Sequence, residues 1–242
     1  MKRHVFTLAP FPSGTTWSIR VPALVHQMVR VLKLRIGEEI TLVDGAGGRV
    51  EADVVGYSEQ NVEVRVQTRQ AEETKTPLHA TGKRTYVCAA ILKKDHFEWL
   101  TEKLAELGVT DLLPLVTART IKKEVRLDRL ETIAKEAMEQ SEQARVMMIH
   151  PPTDLLGAVR VLTRAGAKAV VADTGKGLPS LPGALRSGSI QAVFVGPEGG
   201  WSDEERTFFL QECAFERVSL GDSVLRGETA GILAGYRLVR SE

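Results

Sequence analysis

The sequence predicts a two-domain α/β protein, with a small β-rich domain followed by a larger one built on a parallel sheet. Three observations predict it. Over the first 70 or so residues, short runs of alternating apolar residues are separated by glycine and polar turns, with one helical stretch among them. Residues 73–83 are polar, hold Pro77 and Gly82, and show no periodicity, which reads as a linker. From Arg84 onward, buried-type strands alternate with amphipathic helices, the pattern of a parallel sheet with helices on its faces. The predicted domains are therefore residues 1–72 and 84–242.

In the first domain, Val5 and Phe6 start a short strand. Between Pro22 and Leu34, apolar residues fall at Leu24, Val25, Met28, Val29, Val31 and Leu32, the spacing of a helix opened by proline. Glu39 to Asp44 and Arg49 to Tyr57 flank Gly45-Ala46-Gly47-Gly48, a hairpin signal. Val62, Val64 and Val66 alternate with polar residues and make a third strand, so the domain is read as a small barrel or curled sheet. In the second domain the predicted strands are Tyr86 to Leu92, Leu112 to Val116, Lys168 to Ala172, Ala192 to Val195 and Arg217 to Leu220. The predicted helices are Asp95 to Leu107, stopped by Gly108; Leu127 to Gln143; Asp203 to Cys213, capped by Ser202; and Glu228 to Val239.

Composition narrows the class. The chain of 242 residues is long enough to bury a full core. Its only cysteines, Cys88 and Cys213, argue against a disulfide framework and suit a reducing compartment. The first apolar run is too short for a signal peptide, and no stretch approaches a membrane span. A cytoplasmic protein is expected. Net charge is only +1, yet Lys2, Arg3, Arg20, Arg30, Lys33 and Arg35 all precede the first acid, Glu38. Such a segment either presents scattered solvated charges or grips a phosphate backbone.

Two segments carry candidate chemistry. Gly196-Pro197-Glu198-Gly199-Gly200-Trp201-Ser202 follows a strand and precedes a helix. Its glycines free the backbone to approach a ligand. Ser202 and Glu205 have the spacing of a capping box, which leaves Glu198, a carboxylate between glycines beyond a strand end, for function. The second segment, Leu220-Gly221-Asp222-Ser223-Val224-Leu225-Arg226-Gly227-Glu228-Thr229, joins another strand to a helix. Leu220, Val224 and Leu225 can line a slot for a flat ring, while Glu228 and Thr229 also suit a helix cap. There is no dinucleotide-binding Gly-x-Gly-x-x-Gly, no P-loop and no nucleophile elbow. The five histidines and two cysteines lack metal-ligand spacing, so no metal is expected.

Together these motifs resemble the bacterial 16S ribosomal RNA uracil-N3 methyltransferases of the SPOUT superfamily. The resemblance spans Arg3 with Phe6; His26 with Val31-Leu32 and Gly37; Lys103, Glu106-Leu107-Gly108-Val109 and Pro114; Glu139-Gln140-Ser141-Glu142-Gln143 with Arg145; and both glycine segments. It implies a PUA-like RNA-binding β-barrel, a catalytic α/β domain with a deep trefoil knot, and an obligate homodimer. It also implies S-adenosylmethionine as cofactor, held by Gly196, Glu198, Gly199, Gly200, Leu220, Gly221, Leu225 and Thr229. The chain departs from the family where Ser223 replaces a usual arginine and Trp201 a usual phenylalanine, and Gly227 occupies a variable site. The implied reaction is methylation of uridine N3 in 16S rRNA of the small subunit. Removing the N3 proton calls for a base or for cations that stabilise charge on the uracil oxygens. Arg226 is the candidate charge stabiliser, and Glu198 and Glu228 compete as base. Arg145 and Gln143 are further candidates, from either subunit. RNA contacts are expected from Arg3, Arg20, Arg30, Lys33, Arg119, Lys122 and Arg145, joined by Lys123 and Arg126. Two other readings stand beside this one: a non-enzymatic RNA-binding or ribosome-assembly factor, and a knotted methyltransferase acting elsewhere, such as on ribose 2′-O.

Overall fold

The computed structural model describes residues 4–71, 84–93, 95–175, 177–181 and 190–240. Arg3 and the expected linker at 73–83 lie outside them. The chain divides into two compact units, one of residues 1–75 with 138–146, the other of residues 76–137 with 147–242.

The first unit is a five-stranded sheet with strand order β1-β3-β4-β5-β2. Its strands are β1 (His4–Thr7), β2 (Thr16–Ile19), β3 (Glu39–Val43), β4 (Gly48–Tyr57) and β5 (Val62–Ala71). Only the β1–β3 pair is parallel. The predicted hairpin forms with Val43 opposite Arg49. Asp44 closes it by accepting from the N–H groups of Ala46 (2.8 Å) and Gly48 (2.7 Å). Register shifts between Glu51 and Ala52 and between Val54 and Gly56 bend the long β4–β5 pair. The curled sheet buries Phe6, Trp17, Ile19, Ile40, Leu42 and Val54 against Leu24, Val25 and Met28.

The helix expected from Pro22 to Leu34 is shorter. Regular α1 covers Pro22–His26, and a π-helical turn follows over Gln27–Val31. Lys33 then turns at φ +53°, so Leu34 rather than Val31 or Leu32 enters the core. Strand β2, not foreseen, has too few residues to show periodicity, though Trp17 and Ile19 point inward. Segment 138–146 completes this unit: Val146 N–H donates to Gly45 O, and Gly47 N–H to Ala144 O, both at 3.0 Å. Glu139 Oε1 accepts from Thr7 N at 2.9 Å.

The second unit is a six-stranded parallel sheet with order β11-β9-β10-β6-β7-β8. Its strands are β6 (Arg84–Ala90), β7 (Asp111–Leu115), β8 (Met148–Ile149), β9 (Lys168–Ala172), β10 (Ile190–Val195) and β11 (Glu216–Val218). The helices are α2 (His96–Leu107), α3 (Leu127–Gln140), α4 (Leu155–Ala165), α5 (Asp203–Thr207), which continues as a π-helical turn over Phe208–Glu212, and α6 (Gly227–Val239). The central strands are buried on both faces, as parallel strands must be. One face packs Tyr86, Cys88 and Phe194 against Leu162, Trp201 and Phe209. On the other face α6 lies close: a Cβ at Gly231 would stand 2.6 Å from Leu100 and one at Gly235 2.4 Å from Leu104, so these glycines form a bare stripe against α2. Helix α4 was not foreseen, although Asp154 caps it by accepting from Gly157 N (2.7 Å) and Gly166 ends it in the left-handed conformation. Gly157 and the β-branched Val159 and Val161 weaken its local signal. The predicted Leu127 to Gln143 helix stops at Gln140, and its last residues belong to the first unit.

At the N-terminal edge of this sheet Asp111 is buried. It accepts from Arg84 Nε and Nη2 (2.8 Å each), faces His150 Nε2 at 2.8 Å, and accepts from Thr110 Oγ1 at 2.8 Å. Burial pushes its carboxyl up, but the hydrogen bonds from Arg84, His150 and Thr110 outweigh it and hold the carboxyl below the ordinary range. A group depressed in this way stabilises the fold above its unfolded value, and that contribution disappears as pH falls through the folded value. Asp111→Ala should cost roughly 1.5–3 kcal/mol at neutral pH, because it removes charge-assisted hydrogen bonds accepted by a buried carboxylate. It should also flatten the acid limb of a Tm-against-pH curve; an unchanged acid limb would show that the clamp does not carry this dependence.

Candidate active site

Because the sheet is parallel, the loops after β9, β10, β11 and β6 all leave at one edge. Register makes this specific: Val195 pairs with both Ala89 and Ala172, and Val218 with Ala172. The glycine loop 196–200 therefore emerges between Ile91 on one side and Asp173 on the other. From β6 the chain runs to β7, and from β10 it crosses β9 to reach β11, so β6 and β10 flank the point where strand order switches direction. Open α/β sheets bind ligands in that crevice.

The residues after β6 join the two motifs. Lys93 N–H donates to Glu198 Oε1 at 3.3 Å. One residue earlier, Leu92 packs so closely on Gly227 that a Cβ there would lie 2.6 Å from its Cδ2. Any side chain at Gly227 would have to displace buried Leu92. Farther on, His96 Nδ1 pairs with Glu228 Oε1 at 3.1 Å. Burial pushes the Glu228 carboxyl up, but its own backbone N–H, His96 and the charge of Arg226 outweigh it and hold it below the ordinary glutamate range. The Arg226 guanidinium is exposed and makes no hydrogen bond or ion pair among the described residues, while its backbone carbonyl accepts from Ala230 N. Glu198, the other candidate base, is also exposed.

The glycine loop is braced from behind. Trp201 is buried, donates from Nε1 to Ala172 O at 3.0 Å, and backs Gly196, where a Cβ would lie 3.1 Å from the indole. The predicted capping box is present: Ser202 Oγ accepts from Glu205 N and Glu205 Oε2 from Ser202 N. The other oxygen of Glu205 accepts from Ala118 N at 2.8 Å, and Arg119 donates to Gly199 O at 2.7 Å. Asp173, buried at the end of β9, accepts from Arg206 Nε (3.0 Å) and Arg217 Nε (2.9 Å), tying its loop to α5 and β11. In the second motif Leu220 is nearly buried, Leu225 partly exposed, and Gly221, Ser223 and Thr229 exposed; Val224 is 84% exposed.

The structure thus brings Gly196, Glu198, Gly199, Gly200, Leu220, Gly221, Arg226, Glu228 and Thr229 to one edge of one sheet. Lys122 and Arg119 are exposed in the same unit, whereas Arg20, Arg30, Lys33 and Arg145 are exposed in the first unit, and Gln143 is buried there. Leu92, Lys93 and His96 were not singled out from sequence. Their only signal is position, directly after the strand that pairs with β10. Among the described residues no group of three or more His, Cys, Asp or Glu side chains is placed to hold a metal ion.

Comparison with known proteins agrees with this architecture. Residues 80–238 match the family described as RNA methyltransferase domain, and residues 25–67 the RNA methyltransferase PUA domain. The chain belongs to this RNA methyltransferase family. It is 30% identical to Ribosomal RNA small subunit methyltransferase E of Synechocystis over 88% of its own length and 69% of that protein. It is 28% identical to the Bacillus subtilis protein of the same name, covering 87% and 84% of the two chains. Among solved structures, Ribosomal RNA small subunit methyltransferase E from Neisseria gonorrhoeae, bound to S-adenosyl methionine, superposes with a TM-score of 0.84 at 26% identity, over 97% of this chain and 95% of that one.

In this RNA methyltransferase, the loop geometry depends on Trp201. Trp201→Ala should destabilise the fold by about 3–5 kcal/mol in chemical denaturation. Trp201→Phe, which removes the bond to Ala172 O and part of the ring, should cost about 1 kcal/mol. Equal losses would mean that the hydrogen bond, rather than ring packing, holds the loop.

Proposed function

We propose that this chain transfers a methyl group from S-adenosylmethionine to N3 of an unpaired uridine in 16S rRNA of the small ribosomal subunit. The observation that carries the reading is the meeting of the 196–200 and 220–228 motifs at the switch point of the sheet, where Leu92 and Lys93 touch both. The residues present fit the cofactor. Gly200 at φ +68° and Gly221 at φ +155° expose backbone groups that can read a base edge, and Leu220 and Leu225 offer apolar faces to a flat ring. Gly196, Glu198, Gly199 and Thr229 would complete the cradle. S-adenosylmethionine supplies a methyl group activated on a sulfonium centre.

The chain's own task is to place the uracil and manage its N3 proton. Arg226, whose exposed guanidinium makes no hydrogen bond among the described residues, stabilises the negative charge that develops on the uracil oxygens. Glu198 is the exposed carboxylate and serves as base, while Glu228 stays ionised against His96 and orients the start of α6. The pairing face of the target must be exposed, so the uridine is unpaired or flipped. Exposed Arg20, Arg30, Lys33, Arg119, Lys122 and Arg145, with Arg3, supply phosphate contacts.

The same reading divides the chain functionally into residues 1–72, an RNA-binding β-barrel, and 84–242, a knotted catalytic domain. The β10-to-β11 crossover over β9, followed by return of α6 onto Val87 of β6, supports a knot. The proposed assembly is a homodimer, with the exposed aromatics Trp99 on α2 and Tyr236 on α6 as the side chains it would cover. The proposed setting is the cytoplasm; among the described residues no helix is long and apolar enough to cross a membrane.

Incubation with tritiated S-adenosylmethionine and small subunits lacking the modification should place label in 3-methyluridine. Label in another nucleoside would move the reaction to a different atom, and absence of both label and cofactor binding would favour a non-enzymatic RNA-binding role. Arg226→Ala should lower the transfer rate by about 10²–10³-fold, the scale for losing one charge-stabilising donor, while the denaturation midpoint stays within error. Near-normal turnover would remove Arg226 from the mechanism.

A further inference from the structure

The first unit carries a cleft of about 700 Å³ that the chemistry at the sheet edge does not use. One wall is Pro22, Val25, His26 and Val29, from α1 and the π-helical turn; the other is the 58–61 turn between β4 and β5. Arg20 and Arg30 also line it. We propose that this cleft binds one unstacked nucleotide of single-stranded RNA, at a distance along the strand from the base being modified.

Four features point to that occupant. The volume lies within the roughly 300–1,000 Å³ of small-molecule clefts, room for a base with its sugar and phosphate. The wall from α1 and the π-helical turn is apolar at Pro22, Val25 and Val29, as a stacked base face requires. Charge is complementary to a phosphate: residues 20–35 hold Arg20, Arg30, Lys33 and Arg35 and no acid. The one acid on the lining, Glu59, pairs with Arg30 at 3.2 Å, but with the two side chains 88% and 65% exposed the pair is weak and Arg30 can exchange it for a phosphate. Base-edge readers are also present. Asn61 is already engaged with Ser58 and Ser18, whereas the Gln60 amide makes no side-chain hydrogen bond among the described residues and offers both donor and acceptor.

The rim extends the same chemistry. Val21 and Tyr57, each adjoining a lining residue, are 48% and 50% exposed, and Tyr57 provides a ring on which a neighbouring base can stack. The wall is built on unusual backbone, a π-helical turn running into Lys33 at φ +53°. Both are conformations that proteins concentrate at functional positions. A duplex would present its bases paired and stacked; a cleft of this shape selects an unpaired one.

The proposal rests on the reading of the chain as an rRNA methyltransferase only for the identity of the RNA. The test uses the full chain and a short single-stranded oligonucleotide carrying one 4-thiouridine. Photo-crosslinking followed by peptide mapping should place the crosslink within residues 20–31 or 57–61. In anisotropy titrations, Arg30→Glu and, separately, Gln60→Trp, which fills the cleft, should each raise the single-strand Kd about tenfold, the scale of losing one stacked base. Affinity for a duplex of the same sequence should change less with Gln60→Trp. Crosslinks confined to other surfaces, or unchanged single-strand affinity in both variants, would overturn the proposal. Methylation of small subunits without a cleft crosslink would overturn the cleft alone, and a cleft crosslink without methylation would overturn the activity alone.

Discussion

Parallel pairing of β9, β10 and β6 is the constraint on which the rest of the molecule depends. Strands that run the same way release their following loops at the same edge, and the register of Val195 with Ala89 and Ala172 fixes which loops become neighbours. Everything at the candidate site follows from that alignment. Gly196 to Gly200 can meet Lys93 only because β6 and β10 end level, and Asp173 can reach Arg217 only because β11 lies beside β9. The buried Asp111 cluster does the complementary work at the opposite edge, where it pins the first residues of β6 and β7 together.

The glycines divide between two jobs that sequence alone does not separate. Gly200 and Gly221 have backbone angles that side chains rarely adopt, and they lie where backbone must face a ligand. Gly227, Gly231 and Gly235 are ordinary in conformation, and their use is the absence of a side chain. They let α6 settle onto Leu92, Leu100 and Leu104, which carries Arg226 and Glu228, at the head of that helix, to the sheet edge. A packing stripe thus positions charged groups at the site.

Much of this was legible in the sequence. The two motifs are contiguous stretches whose glycines, caps and apolar positions can be read locally, and the alternation of strand and helix gave the parallel sheet. Other features were hidden because they are properties of pairing and packing. Strands β2 and β8 are too short to show a period. Helix α1 was overextended because the apolar spacing continues through Val31 and Leu32, whereas the backbone widens into a π-helical turn and gives their place to Leu34. His96 looked like an isolated histidine, and its partner Glu228 lies 132 positions away in the chain. The crossing order β11-β9-β10-β6, which brings the motifs together, has no local signature at all.

The first unit is also discontinuous along the chain. Its edge is closed by residues 138–146, which bond to Thr7, Gly45 and Gly47 and cover Val5 and Val43. A protein made from its N-terminus onward must therefore synthesise β6, α2, β7 and α3 before its opening domain can be finished. Until then Val5 and Val43 remain uncovered and the Gly45–Gly47 turn lacks the backbone partners it has in residues 144–146. Maturation of the first unit is thereby timed by the second, and a fragment cut at the apparent linker would inherit an unfinished surface.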